Sequence, residues 1–180
     1  MRRQFTSPLF IVALLAHAGC ERVATVKTPK TYEKDAIHFR HPGNWKVTSD
    51  FQRDGVRFLF LETPGQATVT IQIYLVTEAV KIADFAHQYS SNVHREVPRY
   101  LVIGKSIFAG PEDVSGYTSI TEQFSVSSFG QEVPHIRFYK QKQFGNDLVY
   151  VICQVASEDE DFVAVGFDQI ISSLQYDSHR

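Results

Sequence analysis

Cysteine is nearly absent from this chain: among 180 residues there are two, Cys20 and Cys153. Two cysteines allow one intrachain bridge at most, so a disulfide-stapled scaffold is excluded and a packed core must supply the stability. Long apolar runs are also missing. The stretch from Phe5 to Ala16 is shorter than the roughly 20 residues a membrane-spanning helix needs, and no later run approaches that length. Neither sign of charge dominates, with 18 Lys+Arg against 20 Asp+Glu, so the basic surface that nucleic acid requires is lacking and nucleic acid is a poor candidate partner. The sequence has no G-x-S-x-G, no P-loop and no dinucleotide fingerprint. No catalytic residue and no cofactor-binding residue can therefore be named from motifs. Internal repeats and low-complexity tracts are absent as well.

What is present begins with an export signal. Arg2 and Arg3 form a short basic region, Phe5 to Ala16 is largely apolar, and Ala18-Gly19-Cys20 ends the segment in small residues and a thiol. That order is the layout of a secretory signal peptide. Small residues directly before a cysteine are what lipoprotein signal peptidase cleaves, which makes Cys20 the expected lipidation site and the chain after it a membrane-anchored domain. Stable anchoring needs more than one acyl chain, as a bacterial lipoprotein carries. Glu21 is not the Asp associated with inner-membrane retention, which points to the outer membrane if the host has two. His17 stands where such signals usually carry an aliphatic residue, so cleavage by the ordinary signal peptidase, giving a soluble secreted or periplasmic protein, stays open. Loss of Arg2 and Arg3 leaves 16 Lys+Arg against 20 Asp+Glu, a net charge of −4.

Residues 21–35 (ERVATVKTPKTYEKD) are polar and without apolar periodicity, and read as a flexible tether spanning roughly 20 Å on average and about 50 Å at full extension. The remainder, 36–180, suits a single domain. Its 14 Phe and 8 Tyr are ample for a core. Ile37 and Phe39 alternate with polar residues, Pro42-Gly43 breaks the strand, and Trp45 and Val47 resume it. VRFLFLET and ATVTIQIYLV form a hairpin over Thr-Pro-Gly-Gln, with Val69, Ile71, Ile73 and Leu75 on one face. Ile82, Ala83, Ala86, Tyr89, Ser90 and Val93 recur at helical spacing until Pro98. RYLVIGKSIF is extended, and AGPEDVSGY reads as an exposed loop. The long alternation from Tyr117, then HIRFYKQKQF and LVYVICQVA across Gly145-Asn146-Asp147, predicts an antiparallel meander with one solvated face. Ser157 and Glu160 have capping-box spacing, and Val163, Phe167, Ile170, Ile171 and Leu174 line one face of a terminal helix.

This order of elements resembles the PsbP-like family, which includes PsbP and the DcrB-type bacterial lipoproteins. The resemblance is carried by Phe39 to Trp45 (FRHPGNW), the helix around Asp84 to Tyr89, the strand Val149 to Val155 and the helix Phe162 to Leu174. It implies an α+β fold, an antiparallel sheet flanked by helices in an α/β/α sandwich, in a family of mainly non-enzymatic binding and assembly proteins. It supplies no catalytic residues.

Four constellations carry residue types capable of chemistry. His38 and His41, with His135 and Glu132 approaching in the fold, are the nearest thing to a metal site, but three residues apart on a strand they face opposite ways, and surface histidines explain them; no metal is expected. Glu158 to Asp161 lack the alternating ligands of a calcium loop and suit a helix start. Cys153, inside an apolar run, reads as a small buried hydrophobe. Phe124, Phe129, Phe138, Tyr139 and Phe144 could line a groove but read as core, except Phe129, which sits beside Gly130 at a hairpin tip and is a candidate partner contact. The expected function is that of a lipid-anchored, non-catalytic envelope protein that binds or helps assemble a protein partner. A small-molecule or metal binder and a hydrolase built from scattered residues are the alternatives. A closed apolar pocket would favour the binder, and an acid/base pair in a cleft the hydrolase.

Overall fold

The strand Asp147–Ala156 carries apolar side chains on both faces, and the rest of the molecule is arranged to cover it. Val149, Val151, Cys153 and Val155 point one way, and Leu148, Tyr150 and Ile152 the other, as the period of two requires; all seven are buried. A computed structural model of the chain describes residues 22–75 and 80–178. The strands are β1 Lys30–Lys34, β2 Ile37–His41, β3 Lys46–Arg53, β4 Val56–Glu62, β5 Thr68–Leu75, β6 Leu101–Ile103, β7 Ile107–Val114, β8 Tyr117–Ser128, β9 Gln131–Phe144, β10 Asp147–Ala156 and β11 Gln175–Tyr176. The helices are α1 Ile82–Glu96 and α2 Glu160–Ser173. Strands β3-β4-β5-β10-β9-β8-β6 follow one another across the large sheet, with β7 also on β8, and β1-β2-β11 form a small sheet. All these pairings are antiparallel.

Each face of the large sheet has its own core. On one side α2 contributes Val163, Phe167 and Ile170, with Leu174 just past its end, and β2 contributes Ile37 and Phe39, packed with Trp45 on the inward residues of β4, β5 and β10. On the other, Ile82, Phe85 and Ala86 of α1 cover Ile120, Tyr139, Leu148, Tyr150 and Ile152. At roughly 1.5–3 kcal/mol for each large apolar side chain buried, these two layers dominate the stability. The architecture is the mixed α+β sandwich with an antiparallel sheet that the pattern of elements implied. The β4–β5 hairpin and the β8-β9-β10 meander are where the alternation placed them. Helix α1 ends at Glu96, before Pro98.

Three local expectations are corrected. The stretch taken as a flexible tether is folded over its described part: Lys30–Lys34 pairs along β2, Tyr32 stacks on Phe39 with ring centroids 5.1 Å apart, and buried Ala24 donates its N–H to the Phe162 carbonyl at 2.8 Å. A polar strand held by backbone hydrogen bonds and one tyrosine leaves no apolar periodicity to read. The AGPEDV stretch is strand rather than loop. A register shift between Ala109 and Glu112 absorbs Gly110-Pro111, a bulge being where a proline without an N–H can sit in a sheet. The capping box does not form, since Ser157–Asp159 make a 3-10 turn and Asp159 takes the N-cap of α2 with no side-chain hydrogen bond to the helix. Glu160 and Asp161 still place negative charge in the first turn, the favourable end of the helix dipole.

Candidate functional site

Helix α1 lies over β8, β9 and β10 and leaves the same face of β3 and β4 open. Strand alternation brings Phe51 of β3 together with Phe58 and Phe60 of β4 on that open face. Phe51 stacks on Phe58 at 5.5 Å and on Phe60 at 6.1 Å, the Arg53 guanidinium sits 5.9 Å from the Phe58 ring centre, and Phe51 remains 44% exposed. Together with Tyr74 and the Phe85, Tyr89 and Glu96 side of α1, these residues border an open groove of about 460 Å³. Its inner wall is a set of packed rings. Phe85 stacks on Tyr150 at 3.8 Å, and Tyr74 meets both rings edge-on.

Beneath α1, beside this groove, lies a closed polar cluster. Glu122 and Arg137 face each other across β8 and β9 with exposures of 0% and 1%. Arg137 Nη1 donates to Glu122 Oε2 at 2.6 Å and Tyr139 Oη donates to the same oxygen at 2.6 Å. Ser90 of α1 and Ser106 donate to Oε1. The remaining donors of Arg137, Nε and Nη2, reach Gln154 Oε1 at 2.9 and 2.6 Å, and its guanidinium lies 4.6 Å from the Phe124 ring and 5.3 Å from that of Tyr89. Burial disfavours the ionised carboxylate, but Arg137 and the three hydroxyls outweigh it, so Glu122 is held below the usual carboxylate range. Burial and the adjoining carboxylate push the Tyr139 phenol well up. Both oxygens of Glu122 are engaged, and the cluster pins α1 to the sheet. It presents no acid or base to a cleft.

A second cluster fastens β1 to the opposite face. Arg57 donates to both oxygens of Asp50, from Nε at 2.9 Å and Nη2 at 2.8 Å, and Tyr32 and Lys34 donate to Oδ2. Arg57 also holds the Asp35 and Lys34 carbonyls. The Arg57 hydrogen bonds, with those from Tyr32 and Lys34, overcome burial and hold Asp50 well below the usual carboxylate range. The Tyr32 phenol is pushed up to about 12 by burial and by Asp50.

The residues singled out in the sequence are scattered. Phe129 projects from the β8–β9 turn, 92% exposed, with its ring parallel to Tyr100 at 6.2 Å. Phe124 and Tyr139 are core, and Phe138 and Phe144 are partly buried against the α2 side. His38 and His41 belong to the small sheet, whereas Glu132 and His135 lie on β9. His41 is buried, which lowers its pKa, and its Nδ1 lies 3.0 Å from the Pro42 carbonyl. Among the described residues no three His, Cys, Asp or Glu side chains are grouped as metal ligands. Asp159 of the acidic run pairs with Arg22 at 3.5 Å. Cys153 is fully buried, and burial pushes its thiol up, away from reactivity. Cys20 lies outside the described residues.

No protein-family model matches the chain, and no curated protein matches it. Solved structures do. The solution structure of cyanobacterial PsbP (CyanoP) from Synechocystis sp. PCC 6803 is 14% identical with a TM-score of 0.53, over 91% of this chain and 99% of that one. LpqN of Mycobacterium tuberculosis, described as involved in cell envelope biogenesis, is 12% identical with a TM-score of 0.46, over 82% of this chain and 88% of that one. The fold is that of the PsbP-like proteins, as the resemblance in the sequence implied.

Proposed function

We propose that this is a lipid-anchored, non-catalytic protein of the bacterial cell envelope that binds a protein partner or assists its assembly. The observation that carries the reading is the Phe51-Phe58-Phe60 strip beside α1. It is aromatic and open, and it has Arg53 and Glu96 on its rim. A small ligand needs a pocket that encloses most of its surface. An open aromatic strip with a charged rim suits the surface of another protein. The buried Glu122–Arg137 pair, closed off under α1, gives no support to the hydrolase alternative.

The location rests on the N-terminal sequence, Arg2 and Arg3, the apolar stretch and Ala18-Gly19-Cys20. Two experiments test the two halves separately. Crosslinking in the membranes of the producing cell should capture a reproducible partner with the full chain and lose it with Phe51→Asp; capture of no partner, or of one indifferent to that change, overturns the binding reading. Cys20→Ser should abolish acyl labelling and membrane retention. Unchanged retention overturns the anchor.

A further inference from the structure

We infer that the β8–β9 hairpin tip, Phe129 with Tyr100 beside it, is a second membrane contact that enters the zwitterionic interface of the bilayer holding the lipid on Cys20. The inference rests on the anchoring proposed above and deepens it.

The turn itself is the first observation. Strand β8 ends at Ser128 and β9 begins at Gln131, so Phe129 and Gly130 are the two central residues, with φ of 50° and 81°. A two-residue hairpin with both φ positive favours Asn or Asp before Gly, and a bulky side chain in that conformation is strained. A small polar residue takes the first of these positions in the other turns of this kind, Asp35-Ala36 between β1 and β2, Asp54-Gly55 between β3 and β4 and Ser115-Gly116 between β7 and β8, all at positive φ. At 129 the small polar residue is replaced by a phenylalanine, 92% exposed, whose ring stacks on Tyr100. A strained residue that packing does not require points to function.

The described residues begin at the same end of the sheet as this tip. The registers put Asp54-Gly55, Ser115-Gly116 and Gly145-Asn146 at one end of the sheet and the Phe129 tip at the other. The start of the described chain lies at the tip end: Ala24 is bonded to Phe162 in the first turn of α2, Arg22 pairs with Asp159, and both follow the last residue of β10. Five of the ten large apolar side chains exposed among the described residues gather there: Val23, Tyr100, Val102, Phe129 and Phe162.

Lengths connect the two. Ala156, the end of β10, pairs with His135, and the hairpin runs four residues beyond it to Gln131, about 13 Å at the rise of a strand. Cys20 precedes Arg22 by two residues, about 7 Å of chain at most. The overhang of the hairpin past Ala156 thus exceeds the reach of the two residues between Arg22 and Cys20, so with this end toward the bilayer the tip meets the interface, where apolar groups settle. Charge then selects the surface. Charge at this end is mixed, with Glu158 to Asp161, Glu62 and Glu132 set against Arg22, Lys46, Arg95, Arg99 and Lys105, and no basic excess gathers there. Anionic headgroups gain nothing here, whereas aromatic rings favour the interface whatever its charge.

The test uses the full lipidated chain carrying Phe129→Trp, reconstituted in vesicles of phosphatidylethanolamine and phosphatidylcholine. Trp45, the single native tryptophan, is buried at 1% exposure, so it contributes a constant background. The added emission should shift to shorter wavelength on reconstitution and lose intensity when the phosphatidylcholine is brominated on its acyl chains, with no such change in the unsubstituted chain. Unshifted, unquenched emission from protein that floats with the vesicles overturns the inference and leaves the anchor standing. A blue shift without bromolipid quenching also overturns it, in favour of a protein contact. Protein that does not float with the vesicles overturns the anchor, and the inference with it.

Discussion

At the scale of single residues, the Glu122–Arg137 pair is where one atom decides most. Glu122→Gln removes the countercharge from a guanidinium with 1% exposure, and breaking a buried pair this way costs about 3–5 kcal/mol. Urea unfolding should show that loss, and adding Arg137→Met should restore part of it; a single variant as stable as the parent would show that the pair contributes nothing. Phe129→Asn should act oppositely. Asn suits the left-handed conformation that Phe129 adopts, and relieving strain of this kind commonly gains about 0.5 kcal/mol or more, so the melting temperature should rise and a fall would refute the reading of the turn. Both sites left some trace in the sequence. Glu122 lies between Ile120 and Phe124 on the inward face of an alternating strand, and Arg137 precedes Tyr139 by two on the next; an acid and a base at inward positions of neighbouring strands are a signal that tertiary register alone turns into a contact. The exposure of Phe129 at a hairpin tip was legible from Gly130 beside it.

Elements were legible where burial imposes a period and illegible where it does not. The β4–β5 hairpin, β10 and α2 are half or fully buried, and their apolar residues recur accordingly. β1 is KTYEK, held by backbone bonds and by the Asp50 cluster, which no local pattern announces. That cluster makes β1 sensitive to acid. The folded pKa of Asp50 is depressed below its unfolded value of about 3.9, so its stabilisation is complete above about pH 4 and is lost as the pH falls from there toward the folded value. Asp50→Asn should flatten the acid limb of the stability curve and speed hydrogen exchange in β1; coincident acid limbs would count against the strap. Helix α2 carries a second concealed constraint. A Cβ on Gly166 would come within 2.5 Å of the Trp45 ring and 2.9 Å of Pro42. Gly166→Ala should therefore destabilise by about 1–3 kcal/mol through overpacking, although alanine in an exposed helix would gain about 1 kcal/mol. A more stable Gly166→Ala protein would show that Trp45 can yield.

For the whole molecule, the sandwich followed from the alternation of strand and helix patterns, while the functional surface did not. Phe58 and Phe60 sit in an apolar run that reads as core, and they are left accessible because α1 covers β8 to β10 and stops short of β4. No sequence period records which strands a helix will cover. The strip should also be dispensable to folding: Phe51→Asp is expected to shift the unfolding midpoint little, as for other surface changes, so that loss of partner capture by that variant is separable from loss of structure. A large drop in the midpoint would make the strip part of the core instead.

The seam between β5 and β10 joins chain segments far apart in sequence, with Leu75 opposite Asp147 and Thr68 opposite Gln154. Both cores rest on β10, so neither can close until residues 147–156 have arrived, and pairings so distant are slow to form because loop closure precedes their reward. A chain delivered amino end first thus has no finished layer to fold into until most of its length has passed. The late position of the central strand therefore leaves a growing chain without either finished core for most of its synthesis.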